Sequence, residues 1–474
     1  MGFAKQLASC RAPRHARQRL NRRGNIARPK SIGFRAISVG TFVSAVAVLC
    51  SAALLNGYPL VFSDTGSYLS GAITFEIAFD RPIFYGIFIA ILQPGRLGLW
   101  TVVAAQSAIV AFVLRATLAS FLGPRHDMAL VPVAAGLSVL TALPWVGGQV
   151  TPDIFAPLTV LTLYLLAFRP APLGRAATAG LAIVLFLSVT VHLSHLLLAA
   201  ALLLPLIGWR HLTKAGASYR LGLAGPAAIA VAGLLASPAV NYTLTGEAVV
   251  SRAGPIFVLG RLLDDGIVTS LLSEICPSPE FRLCEFRDSL NPSGDDFLWG
   301  DSPAFAAMGG WSRGQDEALR IIGRSLVLYP FDHLRAAAEA TWNQLTHFAT
   351  GDGIVPNLRS PHVNIAHLLL DELAAFEGAR QQAGRLDFGE LNLWHVPLAG
   401  AAMLLCIVAA GLPERLRGMR PFLLFVMSAL AANAFICGVL SGPHDRYQAR
   451  VVWLAVLGAG LALWPWRQRP GHEA

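Results

Sequence analysis

Residues 36–63 have the sequence AISVGTFVSAVAVLCSAALLNGYPLVFS and contain no Asp, Glu, Lys or Arg. The stretches 128–152 and 176–209 are likewise free of charge. A membrane-spanning helix needs about 20 mostly apolar residues, and a helix satisfies its own backbone hydrogen bonds in lipid. Only 14% of the residues are charged, against about 25% in soluble domains. The sequence therefore predicts an all-α polytopic membrane protein.

Outward from these stretches, apolar segments and basic loops alternate along the chain. The pattern predicts about ten transmembrane helices, at 35–56, 98–121, 129–147, 152–168, 176–191, 194–209, 221–241, 396–412, 421–441 and 451–466. Both flanks of 176–209 are basic, so we expect two helices that turn near His192. The apolar segment 82–94 is too short to span and is predicted to be a re-entrant or interfacial helix.

The net charge of +9 is unevenly distributed. Residues 242–395 hold 20 acidic and 11 basic residues, a net −9, so the rest of the chain carries +18. The basic residues lie in short loops beside the predicted spans, which favours membrane topology over nucleic-acid binding. We expect a multi-pass protein of a bacterial inner membrane with both termini cytoplasmic. Its parts are a basic tail at 1–34, membrane modules at 35–241 and 396–474, and a periplasmic helical domain at 242–395.

The predicted periplasmic domain has its own sequence signals. Apolar residues recur at helical spacing between 318 and 329, and further helices are expected at about 331–349 and 362–382. Cys276 and Cys284 lie close together in CPSPEFRLC. This spacing favours a disulfide over a metal site and implies an oxidising compartment. Three tryptophans of this domain are candidates for stacking on sugar rings or for ordinary packing: Trp299, Trp311 and Trp342.

Four short polar segments fall on the periplasmic side of the predicted spans. They hold Asp64 and Tyr68 in FSDTGSYL, Asp80 and Arg81 before Pro82, Asp153 after Thr151-Pro152, and His444, Asp445, Arg446 and Tyr447 after Gly442-Pro443. Each segment also has a purely structural interpretation, since Asp64 is a preferred helix cap and Asp153 suits a first helical turn. Ionisable residues that converge at span ends are nevertheless candidates for a functional site.

The order of these segments resembles membrane glycosyltransferases of the GT-C type, such as the protein mannosyltransferases and lipid A aminoarabinose transferases. The shared features are an Asp loop after the first span, an Arg-Pro-x-x-Tyr helix start at Arg81, an outside turn with Asp153, and a late Arg446-Tyr447 pair. The resemblance implies a polyprenyl-phosphate-linked sugar as donor and inversion at the anomeric carbon. It also implies that the acidic residue of the first outside loop, here Asp64, is needed for catalysis.

These implications assign roles to the polar residues. Asp64 is predicted to be the general base, and Asp153 a second acid. Arg81, Arg446 and His444 are predicted to bind the donor phosphate, with Tyr68, Asp80, Asp445 and Tyr447 in support. No cofactor is certain, but a divalent metal ion is an open alternative, because Asp64, Asp153, His444 and Asp445 carry suitable ligand atoms.

Other function classes remain open at this point. A lipid or glycan flippase or transporter also has many spans, although repeated halves and charged mid-membrane helices are more typical of that class. A glycan ligase would use a lipid-diphosphate donor, and a scaffold protein would use 242–395 only for docking. The acceptor of a transferase would be an envelope glycan, a lipid or a protein.

Overall fold

The computed structural model describes residues 39–93, 98–123, 126–169, 173–212, 221–251, 253–276, 280–412 and 418–464. These residues form helices and loops, with one isolated parallel bridge between Leu60 and Gln149. Five helices are long and apolar enough to cross a membrane: Trp100–Leu122, Leu193–Leu212, Ala224–Thr245, Gly389–Gly411 and Arg420–Leu440. The coarse prediction of an all-helical membrane protein is thereby confirmed. The basic tail 1–34 lies outside the described residues.

The first half of the chain supplies most helices of the bundle. These are α1 (Val39–Leu49), α2 (Ser51–Asn56), α3 (Thr65–Ile73), α4 (Phe84–Leu92), α5 (Trp100–Leu122), α6 (His126–Leu140), α7 (Leu143–Gly147), α8 (Phe155–Phe168), α9 (Arg175–Val191), α10 (Leu193–Leu212) and α11 (Ala224–Thr245). A short 3₁₀ turn at Pro152–Ile154 leads into α8. As predicted, α9 and α10 are separate helices, because His192 between them adopts an extended backbone.

Two predicted spans are divided in the structure. The described part of the segment 35–56, residues 39–56, forms α1 and α2 on either side of Cys50. The segment 129–147 forms α6 and α7, and Pro144 in the first turn of α7 accounts for the break. Proline has no N–H to donate to the carbonyl four residues earlier, here that of Leu140, and its ring clashes with that carbonyl, so the helix ends there.

Residues between α11 and the last three long helices fold into many short helices. They are α12 (Gly254–Asp264), α13 (Ile267–Ile275), α14 (Gly294–Trp299), α15 (Pro303–Met308), α16 (Gly310–Arg313), α17 (Gln315–Leu328), α18 (Pro330–Thr346), α19 (Ser360–Leu368) and α20 (Leu373–Glu377). Helices α17 and α18 match the prediction. The expected helix 362–382 is instead broken at Leu369, with a 3₁₀ turn at Leu370–Glu372 between α19 and α20.

The C-terminal bundle helices are α21 (Gly389–Gly411), α22 (Arg420–Leu440) and α23 (Asp445–Leu463). Helices α21 and α23 begin several residues before the predicted spans at 396 and 451. Their first turns carry Glu390 and Asp445, where a carboxylate favours a helix start. Hydropathy identifies only the apolar part of a helix. The predicted spans therefore start after these polar first turns.

The molecule has two large apolar cores. One joins the long helices and includes fully buried Trp453, Phe422 and Phe155. The other lies within residues 256–321 and packs α12, α13, α14, α15 and α17 around Leu271 and Phe297. Large apolar side chains on the outer faces of the long helices, such as Leu204, Leu404 and Phe435, stay exposed. Such faces suit contact with lipid chains.

Candidate active site

A cavity of about 1150 Å³ lies between the helical bundle and the 254–313 helices. Its bundle side is lined by Asp64, Tyr68, Asp80, Arg81, His192, His444, Arg446 and Tyr447, and apolar Leu193, Leu197, Ile436 and Leu440 adjoin them. Seven of these eight residues are among the sequence-predicted site residues. Ligand sites commonly occupy about 300–1,000 Å³, so the cavity has room for more than one small group.

Backbone pairing brings the first loop to the turn before α8. The Leu60 N–H donates to the Gly148 carbonyl (2.9 Å), and the Val150 N–H donates to the Leu60 carbonyl (2.8 Å). The Thr65 hydroxyl then donates to the Val150 carbonyl (3.0 Å). These bonds hold Asp64 and Asp153, which are 89 positions apart in sequence, at one end of the bundle.

Asp64 occupies the N-cap position of α3 without capping it. No side-chain cap bond is formed there, and a carboxylate oxygen instead lies 3.1 Å from an Arg81 guanidinium nitrogen. Helices α3 and α4 approach closely at Gly71 and Gly86, since a Cβ on Gly86 would lie 2.9 Å from the Gly71 carbonyl carbon. This close approach sets Arg81, just before α4, against Asp64.

Arg81 is also paired with Asp80, and its guanidinium carbon lies 5.2 Å from the centre of the Tyr68 ring. Burial alone lowers the pKa of Arg81, but the negative charges of Asp64 and Asp80 outweigh it and hold that pKa above its ordinary value. Burial raises the pKa of the Tyr68 phenol. At neutral pH the site therefore contains a cation at Arg81 and a neutral phenol beside it.

Arg446 is the central cation of the cluster. Its guanidinium lies 3.9 Å from Asp64 and 3.8 Å from Asp153, and it stacks 3.8 Å from the centre of the Phe62 ring. Its buried Nε makes no hydrogen bond within the described part of the chain. The side chain is thus held by stacking and charge while retaining donors for another anion.

The Phe62 ring that supports Arg446 is itself fixed by the loop at 351–353. Gly353 has φ +75°, which favours glycine, and a Cβ there would collide with the Phe62 ring. The preceding Asp352 accepts a hydrogen bond from the Arg446 backbone N–H (3.1 Å). Asp352 is not among the sequence-predicted site residues, yet it helps to position Arg446.

Arg450 is a second buried arginine, one turn after Arg446, that sequence reasoning missed. It donates to Asp153 (2.5 Å) and approaches Ser194 (3.3 Å), Asn433 (3.4 Å) and the Cys437 sulfur (3.2 Å). Its side chain is 1% exposed. The available signal was an arginine directly before the last predicted span, a position that favours a functional or structural polar contact.

Asp153, which is predicted to be a second acid, does not line the large cavity. It is 4% exposed, is held between Arg446 and Arg450, and lines only a small cavity behind the large one. The charge network therefore explains its burial, since an unpaired buried carboxylate would be very costly. Its geometry suits holding the two arginines rather than touching a substrate in the large cavity.

The remaining segment 444–447 contributes unequally. His444 and Tyr447 line the large cavity, whereas the Asp445 carboxylate accepts from the Ala349 N–H (2.7 Å) and does not line it. Asp445 thus ties α23 to the loop after α18, and His444 is anchored by its backbone to Gln344. The structure thus places Asp445 outside the cavity lining, and its predicted supporting role stays a prediction.

The site residues do not form a metal centre in the described part of the chain. No group of three or more His, Cys, Asp or Glu there has a geometry suited to a metal ion. The oxygens of Asp64 and Asp153, two of the four predicted ligands, face arginines. The donor set fits pairing with guanidinium and does not fit the proposed divalent cation.

His192 lines the cavity and was recognised from sequence only as a turning point. Its Nδ1 lies 2.8 Å from the Ser194 hydroxyl, and its ring lies 5.2 Å from that of His195. The sequence around His192 carries no Asp, Glu, Lys or Arg from 176 to 209, so it did not indicate that this histidine lies beside the cavity.

The wall opposite the arginines belongs to the 254–313 helices. Asp295, Asp296, Trp299, Trp311 and Phe257 face the same cavity. The Trp299 and Trp311 rings are 5.0 Å apart, and both lie near the Phe257 ring. Trp342 does not line this cavity. As predicted from spacing, Cys276 and Cys284 form a disulfide in this part of the molecule.

No known protein family, curated protein or solved structure matches this chain.

Proposed function

We propose that the chain is an inverting glycosyltransferase that moves a sugar from a polyprenyl-phosphate donor to an acceptor hydroxyl. The observation that carries the proposal is the placement of Asp64 between two guanidinium groups, at 3.1 Å from Arg81 and 3.9 Å from Arg446, on the wall of the large cavity. A carboxylate beside two cations supplies a base and a phosphate site at once.

In this proposal Asp64 takes the proton of the acceptor hydroxyl as its oxygen attacks the anomeric carbon. The bond between that carbon and the phosphate oxygen breaks, and the electrons leave with the polyprenyl phosphate. Arg81 and Arg446, which both line the cavity, bind the departing phosphate. His444 and Tyr447 lie beside the phosphate, and attack opposite the leaving group inverts the configuration.

The donor's hydrocarbon chain needs a path to the bilayer. Leu193, Leu197, Ile436 and Leu440 line the cavity and belong to α10 and α22, two helices long enough to span a membrane. We assign the lipid chain to this apolar side. In the same proposal the chain crosses a bacterial inner membrane about ten times, 84–92 is re-entrant, both termini are cytoplasmic and the cavity opens to the periplasm.

The test compares Asp64→Asn with Asp127→Asn in proteoliposomes. Asp127 is a matched control, because its carboxylate is 28% exposed and paired with Arg115 at 2.8 Å, whereas that of Asp64 is 26% exposed. The donor is first identified from the mass of the lipid-phosphate sugar that copurifies with the protein. Loss of the base should slow transfer of that sugar by about 10²–10⁴-fold, with normal membrane insertion.

Wild-type transfer by Asp64→Asn would overturn the base assignment. Movement of the lipid-linked sugar between leaflets without a covalent product would point instead to a flippase, and a copurifying lipid diphosphate would point to a glycan ligase.

A further inference from the structure

We infer that the cavity wall formed by Trp299, Trp311 and Asp295 is a binding site for an uncharged carbohydrate, which serves as the acceptor. The inference rests on the proposed function only where it calls this sugar the acceptor. The binding itself depends only on these three residues, which together are called the tryptophan wall.

Both rings of the tryptophan wall line the cavity, and Trp299 is the more open of the two, because Trp311 is half-buried against Phe305. Trp299 is 54% exposed, and its ring lies 5.0 Å from Trp311 and 6.1 Å from Phe257. Exposed large rings that gather in a concave site are typical of ligand contact, because aromatic groups offer rigid area with an apolar face. The C–H faces of a sugar ring match such a surface.

Carboxylates accompany the rings. Asp295 is exposed at the start of α14 and accepts no hydrogen bond within the described residues, while the Asp296 carboxylate accepts from the Asn291 amide (2.9 Å). An ionised carboxylate only accepts hydrogen bonds, and hydroxyl groups are suitable donors to it. An apolar face beside free acceptors fits a polyhydroxylated ring.

The same charges argue against other occupants. A phosphate would be repelled by Asp295 and Asp296, and a hydrocarbon chain would leave the Asp295 carboxylate without a hydrogen-bond donor. The lipid-chain path of Leu193, Leu197 and Ile436 lies on the bundle side of the cavity, whereas the tryptophan wall lies on the 254–313 helices.

The position of the tryptophan wall is fixed by close packing below it. The Gly294 N–H donates to Asp264 (2.6 Å), and a Cβ on Gly294 would collide with the Gly260 carbonyl of α12. Leu298, next to Trp299, packs on Gly260 as well. A wall held by α12 can bind a ligand without a large ordering cost.

The test probes the full-length protein in detergent on an array of short uncharged and acidic oligosaccharides. We expect binding to a set of uncharged glycans. Binding should weaken about two- to tenfold in Trp299→Ala and in Asp295→Asn, and further in the double variant. Trp342→Ala is the matched control, because Trp342 is 67% exposed and lies outside the cavity.

Absence of binding to every uncharged glycan, or equal loss in Trp342→Ala, would overturn the inference. Asp295 has no hydrogen-bond partner among the described residues, so Asp295→Asn keeps the test informative if Trp299→Ala misfolds. Asp127→Asn, whose carboxylate does not line the cavity, should bind the same glycans as wild type. Glycan binding that depends on Trp299 together with full transfer by Asp64→Asn would leave the tryptophan wall standing and reject the proposed transfer mechanism.

Discussion

The two walls of the cavity differ in how their polar groups are used. On the bundle side Asp64 and Arg81 line the cavity in contact with each other, and Asp153 and Arg450 form a buried pair outside the cavity lining. On the opposite wall Asp295 is exposed and without a hydrogen-bond partner in the described residues, and Trp299 is half exposed. Fixed, mutually compensated charges suit stabilisation of a developing charge, whereas open groups suit recognition of a neutral ligand. Substitutions on each side of the cavity can test this difference between paired and open polar groups.

The largest effect should come from breaking the buried pair of Asp153 and Arg450, which lies next to the bundle side of the cavity. Asp153→Leu leaves Arg450 buried without its carboxylate and should lower the free energy of unfolding by about 3–5 kcal/mol. Titration with denaturant in detergent measures this loss. Glycan binding to the opposite wall should persist in the folded fraction.

A double variant separates stability from positioning. Asp153→Leu with Arg450→Leu removes both charges, and replacing a whole buried pair by apolar groups is often nearly neutral. We therefore expect most of the stability to return, while Arg446 lacks its Asp153 contact and phosphate binding stays weak. A double variant as unstable as Asp153→Leu would show that the pair is not the reason for the loss.

The next effect concerns the opposite wall and its disulfide. The bond between Cys276 and Cys284 closes a short loop. The double variant Cys276→Ser with Cys284→Ser should therefore destabilise the helices from α12 to α17 by about 2–3 kcal/mol. Hydrogen exchange should accelerate in peptides from these helices and leave α22 and α23 unchanged. Farnesyl phosphate, a short soluble probe for the donor lipid, should bind as before.

Reduction of the wild-type disulfide is the control for that double variant, because it removes the bond without changing the side-chain atoms of the core. Equal hydrogen exchange before and after reduction would mean that the second core around Leu271 and Phe297 holds these helices without help from the disulfide.

The sequence predicted the helical class and most of the site because both follow from local chemistry. Charge-free apolar segments mark helices in lipid, and Asp64, Arg81 and Arg446 stand at the ends of such segments. Arg450 was missed because its partners Asp153, Ser194 and Asn433 come from three other helices. The packing of the helices decides which face of α23 these partners contact. The residue spacing within α23 does not predict that face.

The sequence also could not separate residues that have similar local surroundings in the chain. Asp445 and Arg446 are neighbours, yet Asp445 binds the backbone of Ala349 and Arg446 faces the cavity. Trp299 and Trp342 were equal candidates for stacking, and only Trp299 lines the cavity. A helical residue's direction depends on which helix packs beside it, so composition alone cannot rank such pairs.

The smallest predicted effect tests whether Arg446 can bind a further anion, such as a phosphate. Arg446→Ala should weaken farnesyl phosphate binding by about 10- to 150-fold, the value of hydrogen bonds to a charged group. Arg446→Lys should recover only part of the affinity, because an ammonium lacks the planar fork that binds phosphate and stacks on Phe62. Arg335→Ala is the control, since Arg335 is 78% exposed and paired only with Glu339. Unchanged affinity in Arg446→Ala, measured by titration calorimetry, would mean that Asp64 and Asp153 already satisfy Arg446, and the bundle wall would then have no free cation to offer a phosphate.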